Sequence, residues 1–321
     1  MGAREGGGLA PARDAGKEDR AMKLGFLGPR GKRPGLLGRF ALSGPKTAPA
    51  KLPWTLAVAS GKGGTGKTVL ASNLATQLCM DGFKVAFFDA DLGVANAHLL
   101  LGVQAQRSIA QVLGGKISLK EAALPSPFGP WIVPGGSGIS DLASLSAHEF
   151  LRLARDFRAW EEGMDFLILD CAAGISVQTI LFLQAADDLL VVTNPDFTAM
   201  TDAYALIKVL HMRDPGMRVH VVVNRIRYRG QEREVFERIQ AVCSRFLGKE
   251  LNFLGGLPDD DEVPRSVGAR VPFVVGAPRS GAACALRGIK DKILDLRPGG
   301  EGEPGLRPEG YGDRLARALR G

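Results

Sequence analysis

Cysteine is scarce in this chain of 321 residues, with four in all. Cys79, Cys171, Cys243 and Cys284 form no C-x-x-C pair, which excludes a disulfide framework and fits buried thiols of a reducing compartment. The four histidines are scattered without metal-ligand spacing, so no structural metal held by protein ligands alone is expected. No apolar run approaches the ~18 residues that a membrane-spanning helix needs. The first residues carry Arg4, Glu5, Arg13 and Asp14 where a secretory leader would be apolar. These absences exclude a membrane bundle and a secreted scaffold, and a cytoplasmic globular protein is expected.

Charge is present but unevenly placed. Residues 1–53 hold eleven Lys/Arg against four Asp/Glu, so the whole formal excess of +7 lies there and residues 54–321 are neutral. The same stretch contains eleven Gly and six Pro and no sustained apolar period, a composition expected to form a disordered basic arm. Its Met22–Lys51 part interleaves basic residues with Phe26, Leu36 and Phe40, which suits acidic lipid, nucleic acid or a protein partner as well as a solvated linker.

From Trp54 onward short Val/Ile/Leu/Phe runs alternate with helical periods. Strands are expected at Thr55–Ser60, Lys84–Asp89, Trp131–Val133, Asp165–Asp170, Asp188–Thr193, Arg218–Asn224 and Asn252–Gly255, with a shorter one at Pro272–Val275. Helices are expected at Thr68–Met80, His148–Glu162, Ile175–Ala185, Met200–Met212, Gln231–Phe246 and Ser280–Leu296. Such alternation predicts an α/β fold, a doubly wound and mostly parallel sheet with helices on both faces. The expected division is a basic arm over 1–53, one catalytic domain over 54–296, a linker over 297–310 and a short helix over 311–321.

The decisive motif follows the first strand. Gly61-Lys62-Gly63-Gly64-Thr65-Gly66-Lys67-Thr68 satisfies G-x-x-x-x-G-K-[ST] between a strand and a helix, the context that makes it a phosphate loop. Glycines let successive N–H groups face inward, and the helix start adds partial positive charge. Lys67 is expected on the β- and γ-phosphates and the Thr68 hydroxyl on Mg²⁺. Asp89 and Asp91 stand two residues apart at a strand's carboxyl end, where open α/β sheets bind ligands, and share a face in extended chain. The strand ending at Asp170 fits a second acidic element holding Mg²⁺ through water, followed by Cys171-Ala172-Ala173-Gly174, whose Gly174 amide is expected near the γ-phosphate. Cys171 reads as a small apolar filler.

The string K-G-G-T-G-K-T resembles the deviant Walker A loop of the MinD/ParA family of dimeric ATPases. The resemblance implies that Lys62 crosses to the partner subunit's nucleotide, so that hydrolysis depends on an ATP-held homodimer. It makes Asp91 the residue that orients or activates the attacking water, with Asp89 supporting the metal and phosphate shell. A guanine-specific N-K-x-D motif is absent; Asn224-Arg225 and the loop around Pro258-Asp259 resemble the family's adenine pocket, where Asn offers donor and acceptor. An alternative for Asn224 is a helix N-cap. ATP and Mg²⁺ are the expected cofactors.

Longer strings narrow the resemblance. Phe88–Asn96, Pro134–Ile139, Asp141–Leu145, Asn194–Asp196 and Thr201–Lys208 are similar to the flagellar MinD-like ATPases, called FlhG or FleN, over roughly residues 54–296. This implies control of flagellar number or placement, with the flagellar GTPase FlhF and switch or regulatory proteins as partners. Asp19–Gly25 keeps only part of the FlhF-activating motif. Tyr311, Leu315, Ala318 and Leu319 fall on one helical stripe and resemble the MinD-type membrane-targeting helix, implying peripheral residence at the inner face of the membrane; a frayed tail is the alternative. A second class is a ParA-type partition protein binding DNA through its basic arm, although the core is neutral.

Overall fold

The computed structural model describes residues 52–93, 95–136, 146–297 and 309–320. The basic arm, most of the 297–310 linker and the 137–145 part of the flagellar-type strings lie outside the described residues.

Eight strands form one sheet among the described residues: β1 (Trp54–Ala59), β2 (Val85–Ala90), β3 (Leu124–Pro125), β4 (Trp131–Val133), β5 (Phe166–Cys171), β6 (Asp188–Thr193), β7 (Arg218–Ile226) and β8 (Asn252–Pro258), in the order β3-β4-β2-β5-β1-β6-β7-β8. All but the edge strand β3 run parallel. The sheet is doubly wound because each central strand feeds two cores. In β1, Leu56 and Val58 enter one cluster while Ala57 and Ala59 enter the other; Phe166/Ile168 and Leu167/Leu169 divide in the same way in β5. Strands buried on both faces read as continuous apolar runs for this reason.

One face is covered by α1 (Lys67–Met80), α10 (Phe273–Gly276) and α11 (Gly281–Leu296). The other is covered by α5 (Ala147–Glu161), α6 (Val177–Gln184), α7 (Phe197–Arg213) and α8 (Gln231–Leu247). Short helices α2 (Ala97–Leu100), α3 (Ile109–Leu113), α4 (Leu119–Ala122) and α9 (Glu262–Ala269) fill the connections. At the start of α5, Ser146 and Glu149 form a capping box, so the helix begins where the Ser146 and Glu149 N–H groups each find the other's side chain as acceptor.

Two expectations are corrected. Pro272–Val275 is not a strand; Phe273–Gly276 is helical, and the Val274 N–H donates to Asn73 Oδ1 on α1 (3.1 Å) instead of to a sheet neighbour. A four-residue apolar run gives no period that separates the two outcomes. The second correction concerns 311–321, expected as a membrane-targeting helix. Helix α12 (Tyr311–Ala318) forms there, but its apolar stripe packs into the core: Tyr311 is 1% and Leu315 0% exposed. The Tyr311 ring meets Phe157 edge-on at 4.7 Å, and its N–H donates to Glu161 Oε2 at 2.8 Å. Arg314 pairs with buried Asp187 at 3.0 Å and donates to the Ala185 carbonyl at 2.6 Å. The stripe that would insert into lipid is already covered by protein.

Candidate nucleotide site

The phosphate loop connects the carboxyl end of the central strand β1 to α1. Its shape depends on two glycines. A Cβ on Gly61 would lie 2.2 Å from the Asp202 backbone of α7, and one on Gly66, whose φ is +91°, would lie 2.2 Å from Asn224 Nδ2. The loop is therefore wedged between α7 and β7. Thr65 and Lys67 are buried, whereas Lys62, Gly63 and Gly64 are exposed.

Lys67 forms a salt bridge with Asp170, and its Nζ lies 3.3 Å from the Thr68 hydroxyl. Asp170 stands beside Asp89 in the parallel register of β2 and β5, so two buried carboxylates face one ammonium. Burial first, and then the Asp170 charge, hold Asp89 well above the usual carboxylate range. Asp170 is also raised, by burial, against the opposing pull of Lys67. Asp89 accepts the N–H of Asp91 and of Ala97, both at 3.2 Å, so it shapes the turn that carries Asp91. Asp91 is half-buried and accepts the Gly93 N–H at 3.1 Å.

Other expected residues lie differently. The Gly174 N–H donates to the Ser60 carbonyl at 2.9 Å, tying this loop to the start of the phosphate loop instead of pointing at a phosphate position. Lys62 leaves its own cradle: its Nζ donates to Thr198 Oγ1 on α7 at 2.8 Å. Asn224 is no helix cap; it ends the buried run of β7, and both ends of its amide bond backbone, Nδ2 donating to the Thr65 carbonyl (2.8 Å) and Oδ1 accepting the Arg225 N–H (2.9 Å). Cys171 is fully buried, and desolvation pushes its thiol up, as suits a filler.

A cavity of about 700 Å³ opens beside Gly66 and is lined by Asn224, Arg225, Pro258 and Asp259. The remaining wall comes mostly from residues not expected at the site: Asn194, Pro195 and Asp196 after β6, Arg227 and Gln231, and the apolar Val263, Val267 and Phe273, joined by Leu257 of the expected loop. Asn194–Asp196 carried one signal, its position after a strand's carboxyl end. The α9 wall carried none, because its role depends on how the chain returns over the sheet. An apolar slot bordered by polar groups and adjoining a phosphate cradle suits a base and its ribose.

The donor set also suits a hydrated cation. Asp170 Oδ2 and Thr65 Oγ1 are buried and have no hydrogen-bond partner among the described residues, and the Thr68 hydroxyl is adjacent. No cluster of three or more His, Cys, Asp or Glu side chains could hold a metal among those residues. Mg²⁺, which keeps water and phosphate ligands, needs no such cage.

Cradle, paired acids and cavity at the carboxyl edge of a doubly wound sheet define a P-loop nucleotide-binding protein. A family model described as the CobQ/CobB/MinD/ParA nucleotide binding domain matches residues 56–273, and the chain belongs to that family as a MinD/ParA-type ATPase with the doubled-lysine loop. It is similar to the antiactivator FleN of Pseudomonas aeruginosa, 37% identical over 74% of this chain and 85% of that protein. It is also similar to the flagellum site-determining protein YlxH of Helicobacter pylori, 34% identical over 67% of this chain and 73% of that one. Among solved structures, the MinD cell division ATPase of Pyrococcus furiosus matches with a TM-score of 0.64 and 25% identity, covering 76% of this chain and 99% of that one. MinD of Pyrococcus horikoshii, complexed with Mg-ADP, matches with a TM-score of 0.63 and 26% identity over 76% and 97%.

Proposed function

We propose that this chain is an ATP-dependent dimerising switch that controls flagellar number or placement, with flagellar switch or regulatory proteins and the GTPase FlhF as partners. The observation that carries the flagellar reading is the 37% identity with FleN across most of both chains, supported by the similarity to YlxH. The switch reading draws on Lys62, which is exposed and turned away from its own phosphate cradle, as a residue serving a second subunit must be.

ATP would occupy the cradle and the adjoining cavity, Lys67 would exchange its bond with Asp170 for the β- and γ-phosphates, and Thr68, with Asp170 through water, would hold Mg²⁺. The metal when bound neutralises phosphate charge. Asp91 orients the attacking water, and positioning contributes more than proton abstraction, because an aspartate is a weak base. Lys62 of each subunit completes the other's site, so hydrolysis is slow and requires the dimer.

With ATP and Mg²⁺, Asp91→Ala is expected to accumulate as a stable dimer in size-exclusion chromatography, while Lys62→Ala binds ATP without hydrolysing it. An Asp91→Ala protein that binds ATP and stays monomeric would overturn the mechanism. Membrane attachment through α12 is no part of this proposal, because its apolar face is buried. The basic arm favours a second reading, a DNA-partition ATPase; ATP-dependent co-sedimentation with DNA that collapses with added salt would select it.

A further inference from the structure

We propose that Asn73, which is not among the residues lining the cavity, is a positioning residue for nucleotide binding: from inside α1 it fixes α10, and with it the Phe273 wall of the cavity. The inference rests on the nucleotide reading above and names a support on which the base half of that site depends. Asparagine suits a helix interior less well than alanine or leucine. Yet Asn73 lies within α1, 2% exposed, between Leu70 and Leu74 of the core. A buried amide in that place is explained by what it bonds.

Asn73 Nδ2 donates to the Val69 carbonyl one turn back at 2.8 Å, and Oδ1 accepts the Val274 N–H at 3.1 Å across 201 residues of chain. Helix α10 is one turn long and has no side-chain cap of its own. Its later amides close locally: the Val275 and Gly276 N–H groups both donate to the Pro272 carbonyl at 2.9 Å. The Val274 N–H is one of the donors that a helix start leaves without an internal partner, and Val274 is buried away from water. Asn73 therefore caps α10 from another helix. Phe273, the neighbour of Val274, lines the cavity, and so do Val69 and Leu70 on α1. One amide thus bonds a backbone group on each of two cavity walls. Apolar packing alone lets a single helical turn slide, whereas a buried hydrogen bond has a set length and direction.

Losing Asn73 therefore loosens the cavity wall and leaves the phosphate cradle as it was. The test uses the full chain with Mg²⁺, in which ATP, ADP and inorganic tripolyphosphate each displace a fluorescent ATP analogue at a temperature where circular dichroism shows the variant folded. Asn73→Ala leaves the Val274 N–H without its acceptor and is expected to weaken ATP and ADP by about tenfold, while tripolyphosphate changes by less than about twofold. Asn73→Leu, closer in size and also without the acceptor, is expected to give the same split and serves where the alanine variant does not fold. Asn73→Asp keeps an oxygen for the Val274 N–H and is expected to recover most of the ATP affinity.

Equal weakening of ATP and tripolyphosphate would overturn the inference, by showing that Asn73 acts through the phosphate end of α1. A lower melting temperature with all three affinities unchanged would overturn it too, by showing a purely structural residue. So would an aspartate variant as weak as the alanine one, because the Val274 bond would then not be the route. Failure of the wild-type chain to bind ATP would instead sink the nucleotide reading itself, so the two failures are distinguishable.

Discussion

Lys67 stands between two buried carboxylates, and one positive charge cannot satisfy both. Burial and the neighbouring Asp170 therefore hold Asp89 protonated to higher pH than an ordinary aspartate. A carboxyl with a raised folded-state pKa contributes stability that is fully present below its unfolded value, about 3.9, and is lost as pH rises through the folded value. Without nucleotide, stability measured by urea unfolding is expected to decline as pH rises above the normal carboxylate range, and Asp89→Asn is expected to flatten that decline whatever its absolute stability. A variant with the wild-type slope would show that Asp89 is ionised throughout. At this scale the sequence named Lys67, Asp89 and Asp170, but not that Lys67 rests on Asp170. That follows from the β1–β5 pairing, which sets Asp170 beside the strand leading into the loop, as the β2–β5 register sets Asp89 beside Asp170.

Elements constrain one another most tightly where the phosphate loop meets α7. Gly61 has an ordinary glycine's place in the motif, yet the backbone of Asp202 lies where its Cβ would go. Backbone cannot swing aside, so Gly61→Ala is expected to destabilise the fold by about 1–3 kcal/mol in urea unfolding and to weaken ATP binding as the loop shifts. Unchanged binding would mean that α7 yields. The requirement for glycine was legible from the motif; its partner, more than a hundred residues away, was not. Helix boundaries were readable within a few residues where long periods mark them, as with the expected Gln231–Phe246 against the observed α8. The short α2, α3, α4, α9 and α10 were not, because four to eight residues give too little period and their helicity is set by what they pack against.

Across the whole molecule, the C-terminal helix shows how far a local pattern can mislead. An amphipathic stripe announces that one side will be buried, not in what. Here it is buried against α5 and α6, the Arg314–Asp187 pair closes over the start of β6, and Glu161 caps the helix through the Tyr311 and Gly312 amides. Breaking a buried pair from one side leaves an uncompensated charge at a cost of about 3–5 kcal/mol. Arg314→Ala is accordingly expected to lower the melting temperature by roughly 10 °C in a chain of this size, read by circular dichroism. A change of a degree or less would show that α12 contributes little to the fold.

By itself the sequence determined the phosphate chemistry and the sheet that presents it. Both are written in short-range terms: a loop of fixed spacing between a strand and a helix, and apolar runs whose length and alternation set their burial. Tertiary structure decided the pairing of Lys67 with Asp170, the two-ended bond of Asn224, the outward course of Lys62 and the burial of α12. Each depends on which distant segment arrives at a given place, and that is fixed by packing over the whole sheet, not by the identity of any neighbour in the chain.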